Sequence, residues 1–140
     1  MNPSTGFWFL AAVYTGASLV HFAHNAEYIA FYPGMPSWLT REYVYLAWLA
    51  VASVGALGWL LIRVKRLGLG LLVLGIYGAL GLDGLAHYTL ALCSEHTLAA
   101  NLTIWAEASA GLALLLVCAV SLSKWLRANL AQGGASQGNR

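Results

Sequence analysis

Residues 43–62 read YVYLAWLAVASVGALGWLLI, twenty positions without one charged side chain. The run lacks the strict alternation of a half-buried strand. Wound as a helix, it is apolar all round and leaves no polar stripe to meet water. About 20 such residues, at roughly 1.5 Å rise each, cross the roughly 30 Å of a bilayer's hydrocarbon. The stretch therefore predicts a membrane-spanning helix.

Three further segments meet the same requirement, at about residues 7–30, 67–92 and 98–125. The breaks between them carry suitable punctuation. Pro33-Gly34-Met35-Pro36-Ser37 cannot continue a helix. Arg63, Lys65 and Arg66 would be costly in hydrocarbon, and Ser94-Glu95-His96-Thr97 is polar. The first segment has no basic leader and holds Trp8, Tyr14 and His21, so it reads as a retained helix rather than a signal peptide.

Composition agrees. Of 140 residues 60% are hydrophobic and 9% charged, against about 25% charged in soluble domains. A soluble domain of this size lacks polar residues to cover its surface. A chain this apolar does not stay solvated as a coil. Net charge is +2 with no basic stripe, which disfavours nucleic acid as a partner. The expected fold is all-α: a single four-helix transmembrane bundle over residues 1–130, in contact with membrane lipids. Residues 131–140, rich in Gly, Ser and Gln, read as a disordered tail.

The basic residues Arg63, Lys65, Arg66, Lys124 and Arg127 lie at one end of this bundle. The positive-inside rule puts that end, with both termini, in the cytoplasm, and a bacterial inner membrane is the expected location. The connections 31–42 and 93–97 then face outward. All four histidines and all five acids fall towards that opposite end. Membrane insertion does not demand such clustering.

Helical spacing groups these residues. His21, His24 and Glu27 follow at intervals of three, and Asp83 and His87 are four apart. With Ser94 as N-cap, His96, Thr103 and Glu107 line one face of the last helix. Imidazole and carboxylate on facing helices are the donors of metal sites in bundles. The expected metal ligands are His21, His24, Glu27, Asp83, His87, His96 and Glu107, for Zn, Fe or Cu. Glu27 and Glu107 are the candidate catalytic carboxylates in redox or hydrolytic chemistry on a lipid-soluble or periplasmic substrate. Asp83-x3-His87 with His96 resembles the metal-binding Asp/His/His pattern in a subunit of copper membrane monooxygenases. Its second gap is shorter here, and the likeness covers Asp83–His96 alone.

Three alternatives use the same residues. His21 and His87 could be axial ligands of haem b in an electron-transfer subunit. Glu27, His87 and Glu107 could move protons on a lipid without any metal, as in an isomerase. The chain could also be a non-catalytic accessory subunit of a larger membrane complex. Intramembrane hydrogen bonds average well under 1 kcal/mol, however, so seven ionisable groups exceed what interhelical adhesion needs.

Gly75, Gly78, Gly81 and Gly84 recur at every third position. Small residues let membrane helices approach closely, within one bundle or across a homodimer seam. Cys93 and Cys118 are 25 residues apart on one helical path and too distant for a disulfide.

Overall fold

The computed structural model describes residues 3–137. It is all-helical among those residues, with four helical segments long and apolar enough to cross a membrane. Helix α1 spans Thr5–Glu27, α2 Arg41–Arg63, α3 Leu67–Leu80, the one-turn α4 His87–Leu90 and α5 Leu98–Gln137. Short 3-10 turns cover Ile29–Phe31, Asp83–Ala86 and Cys93–Glu95.

Local chemistry sets the starts. Phe7 N–H donates to Ser4 Oγ at 3.2 Å, Tyr43 N–H to Thr40 Oγ1 at 3.5 Å and Ala100 N–H to Thr97 Oγ1 at 3.1 Å. Each hydroxyl satisfies an orphan donor of a first turn. Thr97, not Ser94, therefore caps the last helix, and His96 lies outside it. Helix α2 ends in a Schellman turn: Lys65 N–H donates to Ile62 O, Arg66 N–H to Leu61 O, and Lys65 takes φ 65°.

The helices stand in a square. Helix α2 packs on α1 and α3, and α5 packs on the same two. Side chains bridge the α1–α3 diagonal: Tyr14 Oη donates to the Tyr77 carbonyl at 2.9 Å, and the two rings meet edge to face. Helix α2 buries only Val44 and Gly58, so it leans against the outside of α1 and α3.

Two apolar clusters form the core. One, towards the basic end, holds Phe7, Tyr14, Leu71, Leu74, Tyr77, Leu114 and Cys118. The other, at the histidine-rich end, holds Tyr32, Ala100 and Ile104. Between them lies a buried polar layer of Ser18, His21, Asn25, His87, His96 and Glu107.

Two expectations need correction. The third span is not one helix: α3 stops at Leu80, and the chain tightens to 3-10 geometry before α4. Glycines at 78, 81 and 84 weaken an α-helix there, since each fixes more backbone entropy than a residue with a side chain. The last helix runs on to Gln137, and residues 126–137 hold no proline to stop it. Much of the expected disordered tail is thus helical, and 138–140 lie outside the described residues.

The glycine stripe, finally, packs within this chain. A Cβ at Gly75 would meet Cys118, at Gly78 the Gly111 carbonyl, at Gly81 the Tyr14 ring and at Gly84 the Glu107 carboxyl. All four glycines are buried against this chain's own α1 and α5.

Candidate functional site

The polar layer is built from α1, the broken third span and α5. The buried side chains of α1 include Tyr14, Ser18, His21 and Asn25, spaced four, three and four. That spacing keeps a single face inward. Helix α5 brings Thr103 and Glu107, four apart, to meet it, and α4 brings His87.

Glu107 is 1% exposed, and neither carboxyl oxygen has a hydrogen-bond partner. Its Oε2 faces His21 Nε2 at 3.6 Å. The tautomer of His21 follows from the other ring nitrogen. Thr103 Oγ1 donates to the Ala100 carbonyl at 2.9 Å, so it accepts from His21 Nδ1–H at 3.2 Å. The Nε2 edge of His21, which carries no hydrogen in this tautomer, faces the Glu107 carboxyl. At 3.6 Å they are one small side-chain adjustment from a hydrogen bond.

The other histidines continue the layer. His21 and His87 meet edge to face with centroids 5.5 Å apart, and His87 and His96 at 6.1 Å. Asn25 Nδ2 donates to His87 Nε2 at 3.3 Å, and His96 Nδ1–H donates to the Leu92 carbonyl at 3.0 Å. His87 Nδ1, His96 Nε2, Asn25 Oδ1 and Ser18 Oγ have no hydrogen-bond partner. Tyr32 is buried between these rings, 5.0 Å from His87 and 6.2 Å from His96. Its hydroxyl bonds His24 Nδ1 at 2.8 Å. Burial pushes the Tyr32 hydroxyl above its ordinary pKa.

A cavity of about 220 Å³ opens onto the layer between α1 and the broken span. His21, Asn25 and His87 supply polar lining, Phe22, Met35 and Leu90 apolar lining, and exposed Asp83 also borders it. Gly84 matters here: a Cβ at that position would stand 3.2 Å from Glu107 Oε2 and 3.6 Å from His21 Nε2.

Of the seven expected ligands, four converge: His21, His87, His96 and Glu107. Glu27 does not. It is exposed, paired with Arg41 at 3.2 Å and accepting from Tyr45 Oη at 2.8 Å. Asp83 is exposed because the 3-10 turn rotates it away from His87, and half-buried His24 is bonded to Tyr32. Among the described residues no three His, Cys, Asp or Glu side chains are arranged to hold one metal ion. One nitrogen of each imidazole is engaged, His21 Nδ1 by Thr103, His87 Nε2 by Asn25 and His96 Nδ1 by Leu92.

Tyr32, Asn25 and Ser18 are the members that sequence reasoning missed. Asn25 and Ser18 had a signal, standing four after and three before His21. Tyr32 had none, because a proline-bounded connection carries it back into the bundle. The chain matches no protein-family model, no curated protein and no solved structure.

Proposed function

We propose that this chain is a small integral membrane enzyme that transfers protons on a neutral, lipid-soluble substrate, with Glu107 and His21 as its acid/base pair. The observation that carries this is the Glu107–His21 contact: a buried carboxyl without other partners facing a ring nitrogen whose tautomer is fixed from behind. Such a pair holds one proton at either of two atoms. That is the equipment for removing a proton from one carbon and delivering one to another, an isomerisation with no net change in atoms.

The adjoining cavity supports the same reading. It is smaller than the roughly 300–1,000 Å³ of drug-sized pockets, so only the reacting end of a lipid enters it. Its apolar side, lined by Phe22, Met35 and Leu90, suits a hydrocarbon. The asymmetry of basic residues supports a cytoplasmic basic end with both termini, an outward histidine-rich end, and a bacterial inner membrane as the location.

The test works on whatever lipid the membrane supplies. Membranes carrying the protein are incubated in D2O, and their lipid extract is examined by mass spectrometry. A lipid species gains carbon-bound deuterium with the wild type and not with Glu107→Gln, and the gain survives exhaustive metal stripping. Deuterium uptake that vanishes with a stoichiometric metal would overturn this proposal in favour of a metal centre. Uptake undiminished in Glu107→Gln would overturn it as well.

A further inference from the structure

The Glu107–His21 pair leaves one buried donor of the polar layer unused. Asn25 Nδ2 can only donate, and it meets His87 Nε2 at 3.3 Å. That nitrogen therefore accepts, and the neutral His87 ring carries its hydrogen on Nδ1. His87 Nδ1 is buried and has no hydrogen-bond partner in the chain. A donor stranded in this way is costly unless something outside the chain accepts from it. His87 also walls the cavity of about 220 Å³, together with His21 and Asn25. The two imidazoles stand side by side, with centroids 5.5 Å apart. A hydrogen-bond donor and the proton-handling His21 thus share the wall of one small space.

We propose that this cavity takes the carbonyl end of a lipid ketone with a β,γ C=C bond, and that His87 Nδ1–H donates to the carbonyl oxygen. The proposal rests on the acid/base reading of Glu107 and His21 and names the substrate class of that site. Carbon acidity is the reason. Neither an imidazole nor a carboxylate takes a proton from plain hydrocarbon. The C–H electron pair needs an oxygen to spread onto, and that oxygen needs a fixed donor where its charge develops.

The transfers balance. His21 Nε2 takes a proton from the α-carbon, between the carbonyl and the C=C bond. The C–H pair becomes a double bond to the carbonyl carbon, and the C=O π pair moves onto the oxygen held by His87. On return the C=O bond reforms, the α–β bond becomes double, and the γ-carbon takes the proton back from His21. Glu107 Oε2, 3.6 Å from His21 Nε2, faces the charge that the ring gains between the two steps. The double bond has moved into conjugation and nothing else is consumed. Asn25 is a positioning residue in this scheme, since it keeps the His87 hydrogen on Nδ1.

The experiment adds cyclohexenone, labelled with carbon-13 at its carbonyl, to full-length protein in lipid nanodiscs and reads infrared difference spectra. Bound ketone should show a carbonyl band at lower frequency than ketone in empty nanodiscs, the mark of a hydrogen bond to its oxygen. His87→Phe should abolish that band and weaken binding about 10-fold, the worth of one hydrogen bond. Glu107→Gln should keep the band. No such band in the wild type, its persistence in His87→Phe, or its loss in Glu107→Gln alone overturns the proposal. A second measurement needs no variant. In wild type labelled with nitrogen-15 histidine, one ring N–H proton should move downfield with cyclohexenone and not with cyclohexene, and an equal response to both overturns the proposal. Binding requires no turnover, so the acid/base reading fails separately. The band together with no deuterium gained by any lipid in D2O would sink the Glu107–His21 pair and leave the ketone site standing.

Discussion

Replacing Gly78 by alanine tests the central helix contact at a resolution the structure makes quantitative. A Cβ at Gly78 would lie 2.7 Å from the Gly111 carbonyl oxygen and 2.8 Å from the Leu115 nitrogen. Both are backbone atoms of α5, so no rotamer change relieves the clash. Ordinary contact begins near 3.4 Å, and α3 and α5 must part locally by about 0.7 Å. Overpacking of this kind costs about 1–3 kcal/mol, partly offset by up to about 1 kcal/mol because alanine favours helix over glycine. Gly75, three residues earlier in the same stripe, is the control. Its Cβ would meet Cys118 Cβ at 3.4 Å, an ordinary contact. Gly75→Ala should be neutral or stabilising by up to about 1 kcal/mol, and the two variants should differ by about 2 kcal/mol. The assay is thermal unfolding in detergent micelles followed by circular dichroism, with both variants beside the wild type. Equal effects of the two would refute the packing argument. Destabilisation by Gly75→Ala together with loss of self-association would mean that the stripe seats a second copy after all.

Three other outcomes follow from single residues. Lys65 sits at φ 65° in the turn after α2, a conformation that costs a non-glycine residue about 1–2 kcal/mol, so Lys65→Gly should raise the unfolding midpoint; a lowered midpoint would contradict this. Ser18 Oγ is buried with no hydrogen-bond partner, and Ser18→Ala should be neutral or stabilising by up to about 1 kcal/mol in the same unfolding assay, because an unpaired hydroxyl contributes nothing to lose. The raised pKa of Tyr32 sets a pH trend: below about pH 10 its contribution is constant, and above it the unfolded chain alone releases that proton, so stability falls with rising pH. Tyr32→Phe should make the fall between about pH 10 and 11 shallower, and an identical slope would show that Tyr32 does not stay neutral in the folded protein.

The spans were legible because length and hydropathy alone demand them, and no competing structure satisfies twenty apolar residues in a row. The site was legible only in part, for reasons of angle. A spacing of three turns a helix face by about 60° per step, so His21, His24 and Glu27 fan out rather than align. By Glu27 the face has moved about 120° from His21, onto the side that meets Arg41 and Tyr45. The four-three-four spacing of Tyr14, Ser18, His21 and Asn25 drifts far less, and all four are buried. Asp83 and His87 failed as a pair because their spacing of four presumes α geometry. At about three residues per turn, the 3-10 segment between them opens about 120°. His96 reached the site from outside the helix that was expected to carry it. Tyr32 was invisible, since nothing in the order of residues says that a loop will fold back into a core.

The break in the third span connects these failures. In an unbroken α-helix, position 87 would stand nine residues from Gly78, about 180° around the axis. Gly78 packs directly on α5, so an unbroken helix would aim His87 away from α5 and out of the bundle. Each 3-10 residue advances about 20° further than an α residue. The segment Asp83–Ala86 thus returns His87 by roughly 80° towards the interior, where it meets His21, Asn25 and Tyr32. The glycines that permit this tightening also clear space: Gly81 for the Tyr14 ring and Gly84 for the Glu107 carboxyl. A regular helix would have been the more stable solution in hydrocarbon, where every backbone group needs an internal partner. The chain departs from it at the one level of the bundle where its buried polar groups meet. That coincidence is hard to attribute to packing alone, because packing is served equally well by the regular helix above and below.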